Sequence, residues 1–216
     1  MMEVAAGSTL HGLYAVTPDD ADTGRLAARV AAAIAGGATA IQYRNKPASA
    51  EKRREQASRL ADVCRTGGAL FIVNDDAALA RDVRADGVHL GEDDGDIAAA
   101  RAVLGDGALI GVSCYDDAAR ARRMVAQGAD YVAFGSFFPS QVKPGARRAD
   151  IALLAQSKAL GVPVVAIGGI DAGNARTLAD AGADAVAVIS AVFAHDDTAA
   201  VTRAAAAIAA AFRKVP

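Results

Sequence analysis

Residues 36–46 read Gly-Gly-Ala-Thr-Ala-Ile-Gln-Tyr-Arg-Asn-Lys, and the reading of this stretch decides the fold. A glycine pair suited to closing a helix leads into a short apolar run, which ends in Gln42, Arg44 and Lys46. Variants of the same pattern recur as RADGVHLG at 84–91, QGADYVAFG at 127–135 and AGADAVAVI at 181–189. Glycine fits the position just past a helix, and small residues let the chain turn tightly into a sheet. The repeat therefore describes a helix-to-strand junction used several times.

Working outward, short apolar runs predict strands at 12–17, 38–44, 70–74, 87–90, 109–113, 131–134, 162–167 and 185–189. Stretches of helical composition separate them at 25–35, 50–65, 77–84, 97–103, 117–127, 151–157, 174–180 and 198–212. Eight alternations in 216 residues give about 27 residues per unit, near the small end of the TIM (β/α)8 barrel. A doubly wound open sheet also alternates, but it commonly opens with a GxGxxG turn after its first strand. Here that turn is Thr17-Pro18-Asp19-Asp20. No linker or composition break divides the chain, so the expectation is an α/β, single-domain TIM barrel over 1–216, with 1–11 an N-terminal extension.

The bulk properties agree. A hydrophobic content of 53% with a net charge of -2 fits a globular protein and argues against disorder or a general nucleic-acid surface. No apolar run reaches the roughly 20 residues of a membrane span, and the first residues lack the basic and apolar regions of a signal peptide. Cys64 and Cys114 have no CxxC or Cys/His neighbour, and His11, His89 and His195 are too scattered for a zinc motif. These features lead us to expect a cytoplasmic protein.

In a strand alternate residues share a face, so Gln42, Arg44 and Lys46 point the same way. An amide, a guanidinium and an ammonium at one strand end form a cradle for an oxyanion; the alternative is an edge strand showing charge to water. Barrel active sites gather at the C-terminal ends of strands, which here also supply Asn74, Asp75, Asp76, Glu92, Asp94 and Ser113. Asp75 and an acid past the next strand are placed to share a hard cation such as Mg2+, or one of the Asp75-Asp76 pair caps the following helix. Gly168-Gly169 with Ser190 suggests a second anion site at strands seven and eight, or tight packing at a strand end. Lys143 lies in a Pro- and Gly-containing loop long enough to cover the mouth. His89 reads as a core histidine or one supporting a ligand contact, and nothing nearby activates Cys114 as a nucleophile.

Taken together these residues resemble thiamine phosphate synthase over almost the whole chain. The motifs are LYAVTPD at 13–19, IQYRNK at 41–46, FIVNDDAALA at 71–80, GVHLGEDD at 87–94, IGVSCY at 110–115, FPSQVK at 138–143, VVAIGGI at 164–170 and AVAVISAVF at 185–193. Each is short, but eight in order are specific as a set. The resemblance implies a transferase that joins a pyrimidine diphosphate to a thiazole phosphate, or its carboxylated form, and releases pyrophosphate by dissociative substitution. It implies that Gln42, Tyr43, Arg44, Asn45, Lys46, Asn74, Ser113 and Lys143 hold the pyrimidine diphosphate, with Arg44, Lys46, Ser113 and Lys143 catalytic. It further implies that Ser140, Gln141, Val142, Gly169, Ile189 and Ser190 meet the thiazole phosphate, and that Asp75 and Asp94 bind Mg2+. Small phosphorylated molecules are the implied partners, without nucleic acid or membrane, and a homo-oligomer is allowed.

Three positions depart from the family pattern. Val142 replaces a threonine and removes a hydroxyl from the implied thiazole-phosphate site, Glu92 replaces a glutamine, and Asn45 replaces an acid on the opposite strand face. A thiazole tautomerase-like or non-catalytic regulatory paralogue is the nearest rival, but it would not need the complete diphosphate and magnesium set. A sugar-phosphate isomerase would need an acid/base pair at the mouth and has no use for two cations at the end of strand two.

Overall fold

The computed structural model describes residues 10–92, 96–139 and 148–213. Eight parallel strands close into a barrel in chain order, the last pairing with the first. They are β1 (Gly12–Val16), β2 (Ala38–Tyr43), β3 (Leu70–Asn74), β4 (Gly87–Leu90), β5 (Leu109–Tyr115), β6 (Tyr131–Gly135), β7 (Val164–Ile167) and β8 (Ala185–Val188). The helices around them are α1 (Thr23–Ala35), α2 (Ala50–Gly67), α3 (Ala77–Asp82), α4 (Ile97–Leu104), α5 (Ala118–Ala126), α6 (Ala152–Ser157), α7 (Ala175–Asp180), α8 (Ser190–Phe193) and α9 (Thr198–Ala209). The TIM barrel expected from the alternation is the fold observed. The strand ends move by one or two residues: β5 runs on to Tyr115, and β7 starts at Val164 because Val162 and Pro163 precede the ladder. α8 adds a short turn directly after β8.

The period of two divides the apolar residues into two cores. Tyr14, Val16, Ala40, Ile72, Tyr131, Ala133, Val165, Ala185 and Ala187 fill the barrel interior. The alternate residues, among them Leu13, Ile41, Phe71, Val88, Ile110, Val132 and Val186, pack outward against the helices. Leu10, within the expected N-terminal extension, is only 2% exposed and belongs to the interior cluster. Full burial of an aliphatic side chain contributes about 1.5–3 kcal/mol, so the two layers together supply the main stabilisation. Most helices start on a side-chain cap: Asp22, Ser49, Asp76, Asp96, Asp117 and Asp197 each accept a main-chain N–H of the first turn, each worth ~1 kcal/mol.

The internal repeat has a side-chain cause as well as a glycine one. Asp86, just before β4, accepts from Phe71 N–H on β3 at 2.7 Å. Asp130, before β6, accepts from Ile110 N–H on β5 at 2.7 Å, and Asp184, before β8, accepts from Val164 N–H on β7 at 2.8 Å. Each of the three also donates its own main-chain N–H back to that same residue. In the repeat unit that opens on Gly36, Thr39 occupies the aspartate position, and its hydroxyl donates to His11 O just before β1 and lies 3.2 Å from Leu13 O on β1. The four clasps join β1–β2, β3–β4, β5–β6 and β7–β8 at the N-terminal end of the barrel. They leave the opposite end for chemistry.

Candidate active site

The C-terminal strand ends open into a cavity of about 940 Å3. The alternation that puts Ala40 in the interior carries Gln42 and Arg44 onto the same face, and both line the cavity. Gln42 is buried, and its amide Nε2 donates to the Tyr14 hydroxyl at 2.7 Å. Arg44 is anchored by its main chain: its N–H donates to Thr17 Oγ1 at 2.9 Å, and the Thr17 hydroxyl donates to its carbonyl at 3.0 Å. Its guanidinium reaches Asp19 Oδ1 at 3.3 Å. The same oxygen accepts from Lys46 N–H at 3.1 Å, and Lys46 Nζ stands 3.6 Å from Asp75 Oδ2. From Gln42 to Lys46 the three groups step from the buried interior to the exposed rim.

The side chains of Tyr43 and Asn45 go the other way, to the α2 seam. Asn45 Nδ2 donates to Asp20 O at 2.8 Å and to Gln56 Oε1 at 2.9 Å. The Tyr43 hydroxyl donates to the same Gln56 oxygen at 3.0 Å, and Gln56 Nε2 donates to Asp20 O at 2.8 Å. Burial pushes the Tyr43 phenol up to about 12. One residue of strand offset turns a side chain from the mouth to the α2 seam. The Asp20 carboxylate completes the seam with Arg25 and the buried Arg29. Its pKa is held below the usual carboxylate range, chiefly by the Arg25 hydrogen bonds.

On β3, Asn74 lines the cavity. The adjacent aspartates divide as the two sequence readings allow. Asp76 is the N-cap of α3, accepting from Leu79 N–H at 2.9 Å. Asp75 is not that cap: it holds φ 65°, with its carboxylate part-exposed beside Lys46. A non-glycine residue in the left-handed region marks a place where surrounding structure imposes a conformation. Glu92 also lines the cavity. Asp94, Ser140, Gln141, Val142 and Lys143 lie outside the described residues.

Ser113 enters from β5, where its carbonyl accepts from Arg120 Nε at 2.9 Å, and Arg120 itself lines the cavity. Neighbouring Cys114 faces outward and is buried, which pushes its thiol up to about 12 and keeps it protonated. Across the mouth, Gly169, Ile189 and Ser190 line the same cavity, and Ser190 is the first residue of α8. Gly168 and Gly169 both have positive φ, at 104° and 65°. A Cβ on Gly168 would fall 2.7 Å from Ser136 Cα, and one on Gly169 would fall 2.7 Å from Phe138 C. The glycine pair thus serves tight packing against the β6 loop while its backbone faces the cavity.

Beneath the mouth runs a polar chain of which the sequence reading picked out only the parts. Tyr14 and Tyr131 hydroxyls lie 3.0 Å apart. The Tyr131 hydroxyl is 3.0 Å from His89 Nδ1, and His89 Nε2 is 2.9 Å from Ser113 Oγ. His89 stacks on the Tyr131 ring at 5.6 Å. Both tyrosines are buried, which raises their phenol pKa well above the ordinary value and keeps them neutral. Sequence reasoning missed Tyr14, Tyr131 and Arg120. Hydroxyl-bearing aromatics at inward positions of β1 and β6 were the available signal, because a buried tyrosine needs a partner; Arg120 gave none.

A family model described as thiamine monophosphate synthase matches residues 13–192. The chain belongs to that family. The thiamine-phosphate synthase of Chromobacterium violaceum is 59% identical over 90% of this chain and 94% of that protein. That of Methylobacillus flagellatus is 56% identical over 87% and 90%. Among solved structures, a thiamine phosphate pyrophosphorylase from Pyrococcus furiosus superposes with a TM-score of 0.78 at 36% identity, covering 92% of this chain and 95% of the other. The thiamine monophosphate synthase family therefore accounts for the barrel, for the eight ordered motifs and for nearly the whole length.

Proposed function

We propose that the chain is a thiamine-phosphate synthase: a transferase, built as one domain, that joins a pyrimidine diphosphate to a thiazole phosphate and releases pyrophosphate. The observation that supports this reading is that two separate polar edges open into one cavity. Gln42 and Arg44 form one on β2, and Gly169 with Ser190 forms the other on β7 and β8. The first suits the diphosphate, with Asn74, Ser113 and Lys46 beside it, and the resemblance extends it to Lys143. The second suits the thiazole phosphate.

The chemistry asks little proton transfer of the protein. As the bond to the pyrimidine methylene breaks, negative charge grows on the leaving diphosphate, where donors fixed in advance stabilise it. Arg44 is fixed by Thr17 and Ser113 by His89. The attacking thiazole nitrogen already carries its lone pair, so no strong general base is needed. The apolar interior residues Val16 and Val165, which line the floor of the cavity, keep water from the cationic carbon.

Asp75 fits a magnesium role. It presents a hard oxygen donor at the cavity rim, beside Lys46, at a positive φ of 65°. No group of three or more potential metal-ligating side chains occurs among the described residues. Magnesium commonly takes only one or two protein carboxylates and completes its shell with water and substrate phosphate. Asp75, with Asp94, would hold it. When bound it supplies charge neutralisation to the diphosphate oxygens.

No helix among the described residues is long and apolar enough to cross a membrane, and both cysteines are free, buried thiols. Those thiols suit a reducing, cytoplasmic setting. Purified protein given both substrates and Mg2+ is expected to release pyrophosphate and form thiamine phosphate. No release at high enzyme concentration would overturn the synthase reading in favour of a thiazole-phosphate-binding paralogue.

A further inference from the structure

Gln42, Tyr14, Tyr131, His89 and Ser113 form an unbroken hydrogen-bonded chain across the barrel interior, running from β2 to β5. Its proton order follows from burial. The Gln42 amide donates to Tyr14, so Tyr14 must place its own proton elsewhere. Tyr14 is 1% exposed, and a buried donor needs a partner; that partner is the Tyr131 oxygen. Tyr131, at 0% exposed, then places its proton on His89 Nδ1. The imidazole is left with its hydrogen on Nε2, where it donates to Ser113 Oγ. With that oxygen already accepting from inside, the Ser113 hydroxyl hydrogen is turned outward.

We propose that Tyr131 and His89 are positioning residues that fix the Nε2–H tautomer of His89, and so make Ser113 a donor to the departing diphosphate rather than an acceptor. This rests on the synthase reading of the cavity. The reverse order would have Ser113 donate to His89 and present a lone pair to the anion, which repels it. Gly111 is part of the device. A Cβ there would fall within the Tyr131 ring, so only glycine leaves room for the phenol at this point of β5.

The tautomer is read directly by 15N NMR of the imidazole in free protein, with His89→Gln used to assign the signal among the three histidines. The wild type is expected to show Nε2–H. Tyr131→Phe removes the proton donor to Nδ1, and its His89 is expected to lose the fixed tautomer and show both Nε2–H and Nδ1–H signals. Its kcat should fall ~10- to 100-fold, as for loss of one hydrogen bond to a charged group, with thiazole-phosphate KM within about twofold. Tyr14→Phe is expected to keep the wild-type tautomer, because Tyr131 still donates to Nδ1. A merely structural role for the tyrosines predicts no tautomer change in either variant. An Nδ1–H signal in the wild type overturns the proposal whether or not the variants fold. So does a Tyr131→Phe protein with unchanged tautomer and kcat. A wild type that shows Nε2–H but releases no pyrophosphate overturns the synthase reading alone.

Discussion

The two ends of this barrel are built on opposite plans. At the N-terminal end one device is used three times and varied once: Asp86, Asp130 and Asp184 each accept a main-chain N–H from the strand before, and Thr39 donates its hydroxyl to the chain at β1 instead. At the C-terminal end the strands contribute a mixture of groups. β2 brings an amide and a guanidinium, β3 an amide and a carboxylate, β5 a hydroxyl, and β7 and β8 a glycine backbone and a serine. Repetition serves closure, which every strand pair needs alike. Variety serves a ligand whose parts differ in charge and shape. The comparison predicts that changes at one end alter stability and changes at the other alter turnover.

The sharpest test is Arg44→Gln. Arg44 is held by its main chain, so losing its guanidinium leaves the Thr17 bonds in place. The expected result is a roughly hundredfold fall in kcat/KM, ~3 kcal/mol, the upper range for one charge-assisted bond. The thermal midpoint should barely move. A large loss of Tm would show that the two ends are not separable. The opposite substitution is Asp130→Ala, which strips a bond from Ile110 N–H and an ion pair from Arg101 at 2.6 Å. It should cost about 2 kcal/mol in denaturant unfolding and leave both substrate KM values unchanged. A shifted KM would mean that strand register at the bottom is transmitted to the mouth.

The same contrast explains what was legible in the sequence. The barrel was readable because the strands are short, mainly apolar runs and the junctions repeat. The glycines caught attention as the cause of that repeat, although Asp86, Asp130 and Asp184 make the strand-to-strand bonds. The facing of Gln42 and Arg44 followed from the period of two. That same period, applied to Tyr43 and Asn45, sends their side chains to the α2 seam. The interior relay was hidden for a different reason. Tyr14 and Tyr131 are 117 positions apart, and each looks like an ordinary core aromatic inside its own apolar run. Only closure of the barrel brings their hydroxyls together.

The smallest expected effect separates two neighbours that sequence alone leaves interchangeable. Asp76 accepts from Leu79 N–H as the cap of α3, so Asp76→Ala should cost ~1 kcal/mol and leave the magnesium dependence of pyrophosphate release unchanged. Asp75 makes no such cap, and its φ of 65° is one that asparagine tolerates nearly as well as aspartate. Asp75→Asn therefore removes charge while keeping shape and backbone. Stability should stay within about 0.5 kcal/mol, while the magnesium titration moves to higher concentration. If Asp75→Asn instead lowered stability and left the titration where it was, the strained carboxylate would be a structural partner of Lys46. The rule that the upper end of the barrel is kept for the ligand would then fail at its rim.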